Sequence, residues 1–256
     1  MSRRRWAPAV RRRWRDGAVG LAALHVHTTF SDGSATVAET LAAAEARRLD
    51  VVGFTDHDDV RAFAVAQRWK EQHPAARVEP LWGVELTCFP FRHLLLYKLD
   101  PPYPARPPRR FQSVQSVLQL ARREGLLVVA PHVATPWVGL GSRGLARLAD
   151  QIDGYELLTP VEGTGWRQRR LRARAPSAPL ALGGSDAHHL AELCRVLIVF
   201  PGHGLAGFRT ALRERTAYPI WADPPTPIPP GQHIRRHLRA LVTLPVEQAA
   251  RSLCRW

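Results

Sequence analysis

Strand-length apolar runs recur along the chain, and all but one of them carry a histidine or a carboxylate at or near one end. The runs are LAALHVHT, VVGFTDHD, RVEPLWGVELT, RHLLLYKL, LLVVAPH, DGYELL, PLALGGSDAH and RVLIVF. Between most of them lie helical patterns, over residues 36–49, 59–72, 111–124, 142–150, 165–174 and 205–215. The first opens with Thr36 and Glu39 at capping-box spacing and carries apolar Val37, Leu41, Ala44 and Leu49. Such alternation predicts βα units around a parallel sheet. Seven or eight units point to a closed or distorted α/β barrel, which 256 residues accommodate as one domain. No GxGxxG word follows any run, which sets aside a dinucleotide-binding sheet.

Barrel enzymes keep their chemistry at the C-terminal ends of the strands. His25 and His27 are two apart on the first run, and alternate strand residues face the same way, so their imidazoles converge. Asp186 and His188 repeat that spacing on PLALGGSDAH. Between these pairs come Asp32 in TTFSDGS, His57 in TDHD, Glu85 in GVEL, His93 heading HLLLY and His132 ending LLVVAPH. Imidazole and carboxylate without thiolate suit Mn, Zn or Fe better than a structural zinc knot. Taken singly, Asp32 before Gly33 makes a turn and Asp186 caps a helix. Taken together, the nine read as one metal centre. His73, His189, His203, His233 and His237 read as structural or solvated, with His189 facing away from His188. Gly53, Gly83, Gly183 and Gly184 read as positions of tight backbone near the sheet rather than a phosphate cradle.

The words HVHTTFSDGS, GFTDHD, WGVELT with HLLLY, APH and GGSDAHH, in that order, resemble the polymerase and histidinol phosphatase family, known as the PHP domain. The resemblance covers residues 24 to about 201 and implies a distorted (β/α)7, TIM-like barrel with a metal cluster in its mouth. Carried over position by position, His25, His27, Glu85 and Asp186 would hold a first metal, with Glu85 bridging to a second. His93 and His132 would complete the second site, and Asp32, His57 and His188 the third. The implied chemistry is hydrolysis of phosphate esters: two cations make hydroxide available from a bridging water near pH 7 and offset charge growing on the phosphoryl oxygens. No nucleophilic serine context such as GxSxG is present. Asp56 and Asp58 are candidates for protonating the leaving group or for orienting a metal ligand. Arg143 and Arg195 are candidates for holding substrate phosphate, and Trp137 for stacking on a base or shaping the rim.

A formal charge of +14 raises the question of polyanions, but with Lys70 and Lys98 the only lysines the excess is arginine scattered over the chain, a weak signal for nucleic acid. Residues 1–20 hold an arginine-rich stretch too polar for a core and read as a mobile arm before the barrel domain of residues 21–218. Residues 219–256 read as a proline-rich linker and a short helical tail, with Ile234, Leu238, Leu241 and Val242 as an apolar strip. Cys88, Cys194 and Cys254 lack CxxC spacing, no apolar run approaches the roughly 20 residues of a membrane span, and the first residues lack the apolar core of a secretory signal; the expectation is a cytoplasmic protein.

The first function that follows is a metal-dependent phosphoesterase acting on a small phosphorylated metabolite or nucleotide. The second is a nuclease trimming oligonucleotide ends, since no long insertion between TDHD and APH covers the mouth. A third, a basic nucleic-acid-binding accessory protein, leaves the nine ligand-type residues without a purpose.

Overall fold

The computed structural model describes residues 17–162, 169–171, 173, 176–177 and 179–222. Each of the eight apolar runs yields a strand: β1 (Val19–Val26), β2 (Val51–Phe54), β3 (Glu79–Cys88), β4 (Arg92–Lys98), β5 (Leu127–Ala130), β6 (Gly154–Leu158), β7 (Leu180–Gly183) and β8 (Val196–Pro201). A ninth strand, β9 (Tyr218–Trp221), lies where the linker was expected to begin and pairs antiparallel with β8. The helices are α1 (Val37–Ala46), α2 (Arg61–Gln72), α3 (Val114–Glu124), α4 (Gly141–Arg147) and α5 (Gly204–Arg213). The helix expected over residues 165–174 lies largely outside the described residues, as do the arginine-rich arm and the tail.

The strands form one sheet in the order β7-β6-β5-β4-β3-β2-β1-β8-β9. It rolls into a nearly closed barrel because the chain beyond β7 returns to β1. There His27 N donates to Ala187 O (2.8 Å) and Ala187 N to His25 O (3.0 Å). That short parallel bridge occupies the second half of the β1 edge, while β8 pairs antiparallel along Val19 to Ala22.

The parallel sheet expected from the alternation needs one correction. β4 runs antiparallel to both of its neighbours, β3 and β5, and β8 and β9 are antiparallel additions. Only Phe89 to Phe91 join β3 to β4, far short of the dozen or so residues of a parallel crossover, so the chain must turn back as a hairpin. The turn places His93, at the start of β4, at the same end of the barrel as the exits of the parallel strands.

β1 and β2 are buried along their whole length, as strands covered on both faces must be. Ala22 and Leu24 of β1 join Val51, Leu81, Leu95, Tyr97, Val129, Leu182 and Ile198 in one cluster drawn from seven strands, the interior of the rolled sheet. Tyr97 donates its hydroxyl to Leu24 O (2.9 Å), satisfying its one polar atom there. The alternate residues Ala23, Val52 and Phe54 pack outward against α1 and α2. Each fully buried large side chain of this kind contributes on the order of 2 kcal/mol. α1 begins at the predicted capping box: Glu39 N donates to Thr36 Oγ1 (3.2 Å) and Thr36 N to Glu39 Oε2 (2.8 Å).

Candidate metal centre

All nine ligand-type residues meet at one end of the barrel. Glu85, on β3 and 1% exposed, is the centre of the group. Its Oε1 lies 2.8 Å from His93 Nδ1 and 2.9 Å from His132 Nε2. Its Oε2 lies 3.1 Å from His25 Nε2, 3.2 Å from His27 Nε2 and 3.4 Å from His57 Nδ1. Asp186 Oδ1 approaches the same His25 and His27 nitrogens at 3.4 and 3.2 Å. Asp32 faces His188 Nε2 (3.1 Å), His27 Nδ1 (3.6 Å) and His57 Nε2 (3.9 Å).

Eight of the nine donors fall into three overlapping groups: His25, His27, Glu85 and Asp186; His57, Glu85 and His93; and His27, Asp32, His57 and His188. Within each group, the ligand atoms lie within 4.8 Å of one another. His132 stands outside them and joins the cluster through Glu85 Oε1. The residues fit divalent cations by type and by geometry. His27 Nε2 and His188 Nε2 are buried beside carboxylate oxygens, yet neither is aligned for a hydrogen bond to them.

Electrostatics show how tightly the group is coupled. Burial alone would raise the carboxyl of Glu85, but His57, His93, His25 and His132 hold it well below its ordinary 4.5. Asp32 and Asp186 are likewise pulled down against burial, Asp32 by His188 and His57 and Asp186 by His25 and His188. Burial opposes charge on His27, yet Asp186, Glu85 and Asp32 raise it from 6.5 to about 10. His25 and His132 are raised against the same opposition, chiefly by Glu156 and Glu85 respectively. His57 goes the other way, lowered to about 4 by burial.

Strand alternation places His25, but it does not place Asp186 and His188. β7 ends at Gly183, and the two residues stand on the loop beyond it, with Asp186 at φ 47° and His188 Nδ1 bonded to Asp186 O at 2.9 Å. Asp tolerates that left-handed conformation better than most side chains. Glu192 Oε2 then accepts from His188 N (2.9 Å) and His189 N (3.1 Å), and Ser34 N donates to His188 O (2.8 Å). His189 turns to Ser34 Oγ (2.8 Å).

The four auxiliary candidates are placed differently. Asp56 spends both oxygens on the loop after β1, accepting from Thr28 N (2.8 Å), Thr28 Oγ1 (2.8 Å), Ser31 N (3.0 Å) and Ser31 Oγ (2.6 Å). Asp58 accepts from Thr87 N (2.8 Å). Burial raises both carboxyls. Arg195 is only 14% exposed and braces Glu192 (3.0 Å), so its charge supports the Asp186 loop. Arg143 is exposed on α4.

One contributor was not foreseen. Glu156 on β6, 1% exposed, accepts from His25 Nδ1 through Oε1 (2.8 Å) and from His132 N through Oε2 (2.7 Å). Its only signal in sequence is a single carboxylate amid the apolar residues of DGYELL. Gly184 makes room for it: a Cβ there would stand 1.9 Å from Glu156 Oε1 and 2.6 Å from His25 Cβ.

Fold and site together define an α/β barrel with a buried histidine and carboxylate cluster at its strand ends. Residues 23–149 match the PHP domain, and the chain belongs to that family. A phosphoribosyl 1,2-cyclic phosphate 1,2-diphosphodiesterase of Eggerthella lenta is 34% identical over 68 residues, 27% of this chain and 25% of that protein. The chain thus aligns with about a quarter of that curated relative. Two solved structures share the fold. A two-domain protein of Bacteroides vulgatus containing a predicted PHP-like metal-dependent phosphoesterase has a TM-score of 0.60 and 19% identity, over 81% of this chain and 66% of that one. The lesion-specific endonuclease Q of Pyrococcus furiosus has a TM-score of 0.56 and 18% identity, over 77% and 56%.

Proposed function

We propose that the chain is a metal-dependent phosphoesterase that hydrolyses a phosphate ester of a small metabolite or nucleotide with two or three divalent ions, Mn, Zn or Fe. The observation that carries this reading is the division of Glu85: one oxygen faces His93 and His132, the other His25, His27 and His57. A carboxylate so divided would serve two neighbouring cations. When bound, such ions supply a water acidified to near neutral pH and positive charge against the phosphoryl oxygens. His25, His27 and Asp186 would complete one site, His93 and His132 another, and Asp32, His57 and His188 a third.

The chain's other residues hold these donors in place. With Nδ1 of His25 donating to Glu156, the ring presents Nε2 to Glu85 and Asp186. Asp56 fixes the loop that carries Asp32, and Glu192 with Arg195 fixes the loop that carries His188. The diesterase name of the Eggerthella lenta relative agrees with this chemistry over the 68 residues matched. Among the described residues no helix is long and apolar enough to cross a membrane. Cys88 and Cys194 are buried free thiols, which supports a reducing compartment.

The test is to assay the metal-loaded protein on phosphomonoesters, a bis-phosphorylated nucleotide and a labelled oligonucleotide. Turnover of at least one is expected. Silence on all of them with metals bound would contradict the proposal. Preference for the oligonucleotide would favour the second reading, a nuclease acting on strand ends with the same centre.

A further inference from the structure

Six large hydrophobic side chains are exposed among the described residues, and four of them stand on one side of the barrel mouth. Phe89 (65%) and Phe91 (62%) flank Pro90 at the tip of the β3-β4 hairpin, between Glu85 and His93. Phe111 (47%) is joined to the end of β3, its N donating to Thr87 O (2.7 Å) while Phe89 N donates to Gln112 O (2.8 Å). Trp137 (83%) stands on a loop laced to the start of β4: Arg92 Nη1 donates to Trp137 O (2.8 Å) and Gly139 O (2.6 Å), and His93 N to Val138 O (2.9 Å).

Exposed aromatics gathered in this way carry a cost in water and mark a binding surface. Phe91, Phe111 and Trp137 also have φ of 128°, 58° and 70°, a region that bulky residues seldom enter. The backbone that carries the rings is held by the hydrogen bonds around it, so less loop freedom is lost when something settles on them. Phe91 and Phe111 meet edge to face, with centroids 6.0 Å apart, and the Arg110 guanidinium lies 5.5 Å from the Phe111 centroid. Aromatic faces beside a cation, two residues from a donor of the phosphate-handling centre, match a flat π system attached to a phosphate.

We infer that Phe89, Phe91, Phe111 and Trp137 form a stacking rim for unpaired nucleobases next to the phosphate held at the Glu85 centre, so that the substrate class is base-bearing, single-stranded phosphoesters. The inference rests on the phosphoesterase reading and narrows it. Stacking faces accept any base, so the rim selects for the presence of bases and not for their sequence.

Binding separates the two ideas. With metals chelated, the full chain is titrated into a fluorescein-labelled single-stranded oligonucleotide and into an abasic strand of equal length, followed by anisotropy. The base-bearing strand is expected to bind about tenfold tighter. Trp137→Ala and Phe91→Ala should each remove most of that preference at unchanged Tm, and Trp137→Phe should retain part of it. Equal affinity of the parent for both strands, or variants that keep the preference, would overturn the rim. A base preference accompanied by no hydrolysis in the metal-loaded protein would instead contradict the phosphoesterase reading.

Discussion

Nδ1 of His25 lies 2.8 Å from Oε1 of Glu156, a carboxylate on β6, between the strands that lead to His132 and to Asp186, and buried as deeply as the histidine it holds. The same carboxylate accepts from His132 N, so one residue orients the imidazole of one proposed metal site and the backbone of another. Glu156→Gln keeps the shape and removes the charge. Affinity for the most weakly held ion is expected to fall about 10- to 100-fold, as for other partners of metal-bound histidine, with little change in Tm. Competition with a chromogenic chelator measures it. Gly184→Ala should act similarly by driving a methyl into Glu156.

Asp56 separates a structural from a chemical role. Asp56→Ala leaves the donors of Thr28 and Ser31 buried and unpaired, which costs on the order of 3 kcal/mol. A marked fall in Tm is therefore expected, together with weaker metal binding through the displaced Asp32 loop. Unchanged Tm with lost kcat and a missing limb of the pH profile would show that Asp56 is an acid after all.

Metal uptake is expected to release protons at pH 7. The pKa of His27 is raised to about 10, so its protonated form stabilises the metal-free fold fully below 6.5, and that contribution disappears as pH rises through about 10. His57, lowered to about 4, contributes in the opposite sense: its neutral form favours the fold above 6.5, and the advantage is lost as pH falls through about 4. A ligand imidazole must be neutral, so His27 has a proton to lose when a cation arrives. Calorimetry of metal binding in buffers of different ionisation enthalpy at pH 7 reads this release. No buffer dependence would contradict the placement of His27 among the ligands.

Much of this architecture was legible in sequence because apolar run length and ligand position carry it directly. The eight runs became strands, Thr36 and Glu39 made their capping box, and the nine donors converged. The hairpin at Phe89 to Phe91 escaped notice because alternation suggests parallel pairing, whereas the three-residue connection forbids it. Asp186 and His188 were placed by spacing, but a left-handed turn and the Ala187 bridge bring them to the centre. Glu156 was missed because one carboxylate in a short apolar strand has no spacing to betray it. Arg195 read as a candidate for substrate phosphate, and its ion pair with Glu192 went unseen because the two become neighbours only through a 3-10 turn.

Asp186→Asn tests a single donor with little disturbance of packing, since it weakens a ligand without opening a cavity. Activity is expected to fall by orders of magnitude while Tm of the metal-free protein changes little. Near-parental kcat would remove Asp186 from the ligand set.

The most direct measurement of the central claim is turnover of a phosphate ester by protein verified as metal-free by elemental analysis, before and after divalent ions are returned. The account predicts no activity in the stripped protein and recovery with Mn or Zn as two or three ions bind per chain, with Glu85→Gln failing to recover. Full turnover by the stripped protein would contradict it.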